Sequence, residues 1–401
     1  MPESVPAVEE EAAKLARNAV DCLPAGGLAE RLRAARAERR ALRVKLGIDP
    51  TAPDIHLGHA VVLRKLREFQ EAGHTVVLII GDYTARVGDP SGRSALRPML
   101  SGEEIEANAA TFQAQASRIL DPDPERLEVR RNGEWLDMGT EGMLALLRTA
   151  TVARLLERED FSQRWGAGEA ISMLELIYPL WQGYDSVAVR ADVEIGGTDQ
   201  KFNLLLGRDM QRAHGQAEQA ILTMPILVGR DGHRKMSKSL GNHIGVTDPP
   251  REIYGKTMSI PDGAMEEYYR LLLDEEVPAE LEPRDAKRAL ARGLVGLLYS
   301  PEQAGEAQAH FDRVFVEREA PEEMEELELE LPQDGGAVHM PAVLERAFAV
   351  SRSEARRALA QGGVRLGEAR LGASDQDLPR ERLDGEVLRL GKRRFVRLRA
   401  R

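Results

Sequence analysis

Apolar residues in the first third of the chain switch between continuous runs and a helical period. Val44-Lys45-Leu46-Gly47-Ile48 reads as a short strand. Leu57 to Ala72 reads as an amphipathic helix, with Leu57, Val61, Val62, Leu66 and Phe69 at helical spacing. Val76-Val77-Leu78-Ile79-Ile80 then runs without a polar break, as suits a strand buried on both faces of a parallel sheet. Strand, helix and strand in this order predict a βαβ unit with a right-handed crossover, and such sheets bind ligands at the carboxyl ends of their strands. The segment His56-Leu57-Gly58-His59 falls at that end, where the helix begins.

From Ser101 to Arg164 the chain is mainly helical in pattern and charged, which predicts an insertion between the halves of the sheet, spanning residues 101–190 with the helix Ser172 to Tyr184. Val187 to Ile195 is a strand candidate. Ala220 to Val228 is a final strand leading into a lysine-bearing loop bracketed by Gly229, Gly232 and Gly241. Helices follow to Val316. Glu317 to Asp334 then carries nine acidic residues against one basic, and Gln333-Asp334-Gly335-Gly336 reads as a flexible linker. The predicted organisation is an N-terminal helical segment (1–43), a Rossmann-like, doubly wound α/β domain with a helical insertion (44–244), and a helical domain (245–316). An acidic linker (317–337) and a small α+β unit (338–401) complete it.

Composition bounds this picture. With 401 residues, 42% of them apolar, the chain exceeds one ordinary core and fits two to four domains of a globular protein. Met1 to Leu23 is acidic where a signal peptide would be basic and then apolar, and no apolar run is long enough for a membrane span. The lone Cys22 has no internal partner, which fits a reducing cytoplasm. A net charge of −11 argues against an RNA-binding protein until it is divided along the chain. Residues 351–401 hold 14 Lys and Arg against 7 Asp and Glu, a local +7 that leaves −18 on the preceding residues. That tail could meet phosphate or simply be a solvated basic surface.

Candidate chemistry lies at four places. His56 and His59 project from one side of a helix N-terminus, where negative charge on phosphate is favoured, with Asp54 as the predicted N-cap. Two surface histidines, or part of a metal site, would look the same. Lys235 and Lys238 sit on flexible stems in a glycine-flanked loop suited to closing over a triphosphate, though a charged surface hairpin has the same composition. The preceding Gly229-Arg230-Asp231-Gly232-His233-Arg234 is not a Walker P-loop. Tyr178, Gln182 and Asp185, at i, i+4 and i+7, put three hydrogen-bonding groups on one helix stripe, as a polar pocket or a buried packing network would. Gly88 to Arg93 and Gly196 to Gln200 follow strand candidates and each carry a carboxylate.

Jointly these motifs are more specific than any one of them. The pair His56-Leu57-Gly58-His59 and Lys235-Met236-Ser237-Lys238-Ser239 resembles the two signatures of class I aminoacyl-tRNA synthetases. Gly47 to His59, Gly88 to Gly92, Tyr178 to Asp185, Gly196 to Gln200 and Lys235 to Ser239 come in an order that resembles the bacterial tyrosyl-tRNA synthetase family, from about Leu28 to Arg401. The resemblance implies activation of tyrosine with ATP, magnesium accompanying the nucleotide, transfer to tRNA(Tyr), and a homodimer with no membrane association. Carried over by position, Asp185 would accept the substrate's phenolic hydroxyl, and Asp89, Tyr178 and Gln182 would hold its ammonium. Gln200 would approach the carboxylate, Asp199 and Gly197 the ATP ribose, and Thr51, His56 and His59 the phosphates. Lys235 and Lys238 would follow pyrophosphate, with Gly47, Asp49 and Gly58 also in the ATP site and no protein-held metal. The chain departs from the family at Lys45, where a tyrosine is common; Lys45 could reach the hydroxyl, pair with Asp185 or face solvent. Arg93 stands where lysine is common. Ser351 to Leu359 and Gly362 to Leu366 resemble the family's C-terminal RNA-binding domain, with Arg352 and Arg356 on one helix face. A non-catalytic RNA-binding relative and a small-molecule adenylyltransferase are the alternative readings.

Overall fold

The computed structural model describes residues 5–51, 55–88, 100–316, 324–329, 337–391 and 394–400. The chain divides into two compact units, Met1–Ala304 and Gly305–Arg401.

The first unit is built on a six-stranded sheet: β1 (Asp21–Leu23), β2 (Arg43–Ile48), β3 (Thr75–Ile80), β4 (Leu127–Arg131), β5 (Val193–Gly197) and β6 (Ala220–Met224), in the order β1-β6-β5-β2-β3-β4. Five strands are parallel and β1 runs antiparallel to β6. The apolar run of β3 explains its place beside β2, since Val76 to Ile80 are each at most 2% exposed. Burying each such side chain contributes about 1.5–3 kcal/mol. Helices α1 (Val5–Leu15) and α2 (Gly27–Ala37) flank β1, and α3 (Leu57–Glu71) makes the crossover from β2 to β3.

Three elements of this unit depart from the sequence expectation. β4 lies inside the segment predicted as a helical insertion, yet pairs with β3 from Leu127 opposite Val76 to Arg131 opposite Ile80. It is an edge strand, where charges are tolerated, and its Glu128, Arg130 and Arg131 masked the strand pattern. The N-terminal segment expected to be helical contributes β1, fixed to the sheet because the Asp21 carboxylate accepts from Lys201 (2.7 Å) and Thr223 (2.6 Å). The predicted strand from Val187 also starts late. Val187 and Ala188 end helix α5 (Met173–Ala188), and the chain then turns through Arg190 in the left-handed region (φ 49) before β5 begins.

Helix α4 (Gly102–Ala116) and α5 each open with a serine capping box, Ser101 with Glu104 and Ser172 with Glu175, worth about 1 kcal/mol apiece. Helix α6 (Lys201–Ala213) packs closely on α5 because Gly183 has no side chain: a Cβ there would lie 2.6 Å from Met210 Sδ. Helices α7 (Pro250–Met258) and α8 (Pro283–Leu298) follow the lysine loop.

The second unit contains a five-stranded sheet, in the order β10-β9-β12-β13-β7, and a two-stranded one pairing β8 with β11. Its strands are β7 (Glu326–Leu329), β8 (Val338–His339), β9 (Val364–Leu366), β10 (Ala369–Leu371), β11 (Asp377–Leu378), β12 (Val387–Leu390) and β13 (Arg394–Ala400). Helices α9 (Met340–Phe348) and α10 (Arg352–Ala360) share its core through Met340, Leu344, Ala355 and Leu359. Within the predicted acidic linker, Glu326–Leu329 is instead a strand running parallel to β13, with Glu326 opposite Arg397 and paired to Arg399 at 3.0 Å. An acidic edge beside a basic strand reads as a linker only when its partner is not known.

Candidate active site

A cavity of about 760 Å³ opens at the carboxyl ends of the parallel strands, around the point where strand order reverses between β2 and β5. The structure brings to its wall Gly47, Asp49, Thr51, His56, Gly58, His59, Tyr178, Gln182, Asp185, Gly197, Asp199, Gln200 and Lys235. Lys238 is exposed in the same loop as Lys235 but outside the cavity lining. Asp89, Arg93 and Asp54 lie outside the described residues. Arg352 and Arg356 are exposed one turn apart on α10, and Arg352 pairs with Glu345 at 2.8 Å.

One end of the cavity is lined by buried groups. Asp185, 3% exposed, accepts hydrogen bonds from Trp135 Nε1 (2.8 Å) and Asn132 Nδ2 (3.5 Å). Burial pushes its carboxyl up to about 7, against the opposing pull of the Lys45 charge and these two donors. Asn132 also donates to Thr84 (3.0 Å), Thr84 to Asp49 (2.6 Å), and the Tyr178 hydroxyl to the other Asp49 oxygen (2.8 Å). A Cβ on Gly81 would collide with the Asp49 carboxylate and the Thr84 hydroxyl, so glycine makes room for this chain of bonds. Asn203 bridges Gln182 (2.9 Å) and Gln200 (3.1 Å), ordering two amides on the wall.

Lys45 takes none of the three positions left open by the sequence. It is fully buried, and its ammonium donates to Glu194 (2.8 Å), Ser186 Oγ (2.9 Å) and the Gln182 carbonyl (3.0 Å).

The other end is more exposed and carries Lys235 beside two histidines. His56, rather than Asp54, is the N-cap of α3: its Nδ1 accepts from Gly58 N (3.2 Å), while His59 Nδ1 accepts from His56 N (3.3 Å). A backbone amide can only donate, so in both neutral rings the proton sits on Nε2, leaving that nitrogen a donor. Desolvation lowers His56 to about 2, helped by His59, His243 and Lys235, and lowers His59 to about 4, helped by Lys235. Both shifts favour the neutral ring. The lysine loop is a hairpin closed by a bridge between Val228 and Lys235 and anchored to the HxGH turn by a second between His56 and Gly245. Asn242 staples it, accepting from Ser237 N (2.8 Å) and donating to Asp231 (2.9 Å) and the Lys235 carbonyl (3.1 Å). Lys235 pairs with Asp199 at 2.7 Å.

A cleft with a buried carboxylate at one end, and helix-capping histidines and lysines at the other, is suited to holding a small polar molecule against a nucleotide's phosphates. The family described as "tRNA synthetases class I (W and Y)" matches residues 37–316. The chain belongs to this family. Among relatives of this class I synthetase, the tyrosine–tRNA ligase of Thermotoga maritima is 50% identical over 97% of each chain. That of Moorella thermoacetica is 48% identical over 98% of this chain and 97% of its own. The structure of an Archaeoglobus fulgidus tyrosyl-tRNA synthetase complexed with L-tyrosine superposes with a TM-score of 0.60 at 25% identity, covering 75% of this chain and 99% of that one.

Sequence reading missed Asn132, Trp135, Thr84 and Glu194, which complete the closed end of the synthetase cleft. Asn132 and Trp135 follow the carboxyl end of an unrecognised strand, and recognising β4 would have pointed to them. Glu194 stands in a strand with no motif around it. No helix among the described residues is long and apolar enough to cross a membrane.

Proposed function

We propose that this synthetase activates tyrosine and transfers it to tRNA(Tyr). The observation that carries the choice of tyrosine over tryptophan is Asp185, a buried hydrogen-bond acceptor at the closed end of the cleft. A phenolic hydroxyl donates to it, and the tyrosine ring fills the space back toward Gln182 and Tyr178. Those two residues and Asp89 hold the ammonium, and Gln200 faces the carboxylate. A ligand lacking the hydroxyl leaves Asp185 without its donor in a dry site, at a cost of about 1–3 kcal/mol or more.

The tyrosine carboxylate oxygen attacks the α-phosphorus of ATP in line. The new P–O bond forms as the bond to pyrophosphate breaks, and pyrophosphate leaves. No protein nucleophile is required. The Nε2–H groups of His56 and His59, with Thr51 and the positive end of α3, stabilise charge on the phosphate oxygens as neutral donors, while Lys235 and Lys238 meet the departing pyrophosphate. Asp199 and Gly197 take the ribose, which requires Lys235 to leave Asp199 as nucleotide binds. Gly47, Asp49 and Gly58 shape the rest of the ATP site. Magnesium belongs to the nucleotide substrate, carried on its phosphates. A ribose hydroxyl of the tRNA's terminal adenosine then attacks the acyl carbonyl, and AMP leaves.

The basic α10, with Arg352 and Arg356 outward, suits the phosphate backbone of structured RNA. Most of the large exposed apolar side chains of the first unit belong to the insertion segment, among them Leu144, Val152, Trp165 and Met173, with Trp165 67% exposed. A second copy of the chain covers these side chains in the homodimer we propose. With a single cysteine in the sequence, we place the enzyme in the cytoplasm. Pyrophosphate exchange into ATP without tRNA, with tyrosine, tryptophan and phenylalanine in parallel, tests the reading. Exchange with tyrosine alone is expected; exchange with tryptophan, or with none of the three, would overturn it.

A further inference from the structure

Lys45 has no motif to announce it, and the reaction as described does not use it. Yet it is fully buried beside the cavity wall, and all three of its ammonium protons are engaged. Two of its acceptors, the Gln182 carbonyl and Ser186 Oγ, belong to the turn of α5 that carries Asp185, and the third, Glu194, reaches over from β5. Glu194 also accepts from Ser186 (3.0 Å) and from Gln219, and is 1% exposed. Space for this cluster is made by Gly207 on α6: a Cβ there would come within 2.8 Å of Gln219 Nε2, 3.0 Å of Ser186 Oγ and 3.2 Å of Glu194.

We infer that Lys45 is a positioning residue of the tyrosine pocket: its buried ammonium clamps the helical turn bearing Asp185 and is the positive charge that keeps the Asp185 carboxylate available as an acceptor for the phenolic hydroxyl. Among the described residues, the groups facing Asp185 are Lys45 from β2, Glu194 from β5, and the neutral Asn132 and Trp135 after β4, with Asp49 beyond Thr84. Lys45 is the one cation in that set. Glu194 holds the lysine in place as its buried counter-charge at 2.8 Å, and removing one partner of such a pair is strongly destabilising. The inference rests on the tyrosine-activating reading of the site.

Lys45→Met combined with Glu194→Gln tests it, since this pair leaves neither a buried lysine nor a buried glutamate unpartnered. Tyrosine and ATP KM values are measured by pyrophosphate exchange from pH 6 to 9, beside the wild-type protein and Lys45→Arg, with thermal melts on all three. The double variant is expected to melt near wild type while its tyrosine KM at pH 7 rises about fivefold to tenfold. Its inflection in tyrosine KM moves upward, because the lost Lys45 charge outweighs the lost and opposing Glu194 charge, and its ATP KM stays unchanged. Lys45→Arg keeps the inflection near the wild-type position. A double variant with the wild-type tyrosine profile would overturn the inference, as would an upward shift in Lys45→Arg, which decides the matter alone if the double variant does not fold. Failure of the wild-type protein to exchange with tyrosine would instead remove the reading beneath it.

Discussion

The two ends of the cleft solve opposite problems with opposite materials. At the closed end, Asp185 is 3% exposed and every neighbour that touches it is itself held by other bonds, so recognition comes from desolvated groups fixed before the ligand arrives. At the open end, Lys235 is 59% exposed on a long stem, and its partner Asp199 is one of the residues proposed to take the nucleotide's ribose. Fixed groups in a dry site discriminate between ligands that differ by one hydroxyl. In the proposed reaction, exposed cations on a hairpin follow a charge that moves, at the cost of strong screening by water and salt.

The contrast is broken most severely at the open end. Lys238→Ala and Lys235→Ala are each expected to slow adenylate formation by about 10²–10³-fold in single-turnover measurements, with tyrosine affinity by equilibrium dialysis unchanged. Equal losses in both would mean that the loop lysines bind the ground state. Asp185→Asn addresses the closed end: kcat/KM for tyrosine in pyrophosphate exchange falls by about 10–100-fold and the preference over phenylalanine shrinks by a similar factor, while ATP KM holds.

pH sharpens the comparison further. Burial raises the Asp185 carboxyl from its ordinary 3.8 to about 7, so between those values the folded protein holds a proton there that the unfolded chain does not. Its contribution to folding is therefore fully present below about pH 4 and is lost as pH rises through 7. Tyrosine needs the ionised acceptor, and its affinity rises about tenfold from pH 6 to 8. Asp185→Asn flattens both curves, which titration calorimetry and thermal melts would read. His56 and His59, with pKa values lowered to about 2 and about 4, add no inflection in this window. The smallest effect is expected from Asn242→Ala, which frees the hairpin from its staple. ATP KM should rise about twofold to tenfold, from the loss of roughly 1 kcal/mol of ordering, with tyrosine binding untouched.

How far the fold was legible follows the same division. β2, α3 and β3 could be read because apolar residues occupy nearly every inward position, and the HxGH and lysine motifs could be read because each concentrates its polar groups within a few adjacent residues. β4 was hidden because an edge strand needs few apolar side chains, and β7 because its acidic residues are matched by a strand some seventy residues later. The closed end was half legible. Tyr178, Gln182 and Asp185 share one helix, whereas Asn132, Trp135 and the Lys45–Glu194 pair meet through the sheet and leave no local trace.

The Lys45–Glu194 pair also bears on how the chain finds its fold. β2 and β5 are adjacent in the sheet with Lys45 opposite Glu194, although the two strands are far apart in the chain. Sliding β5 by one residue would turn Glu194 to the opposite face and leave Lys45 sealed in the interior without a counter-charge, a penalty of about 3–5 kcal/mol. Mispaired arrangements that an all-apolar centre would tolerate are thereby made costly, so the two charges act as a proofreading mark for strand alignment.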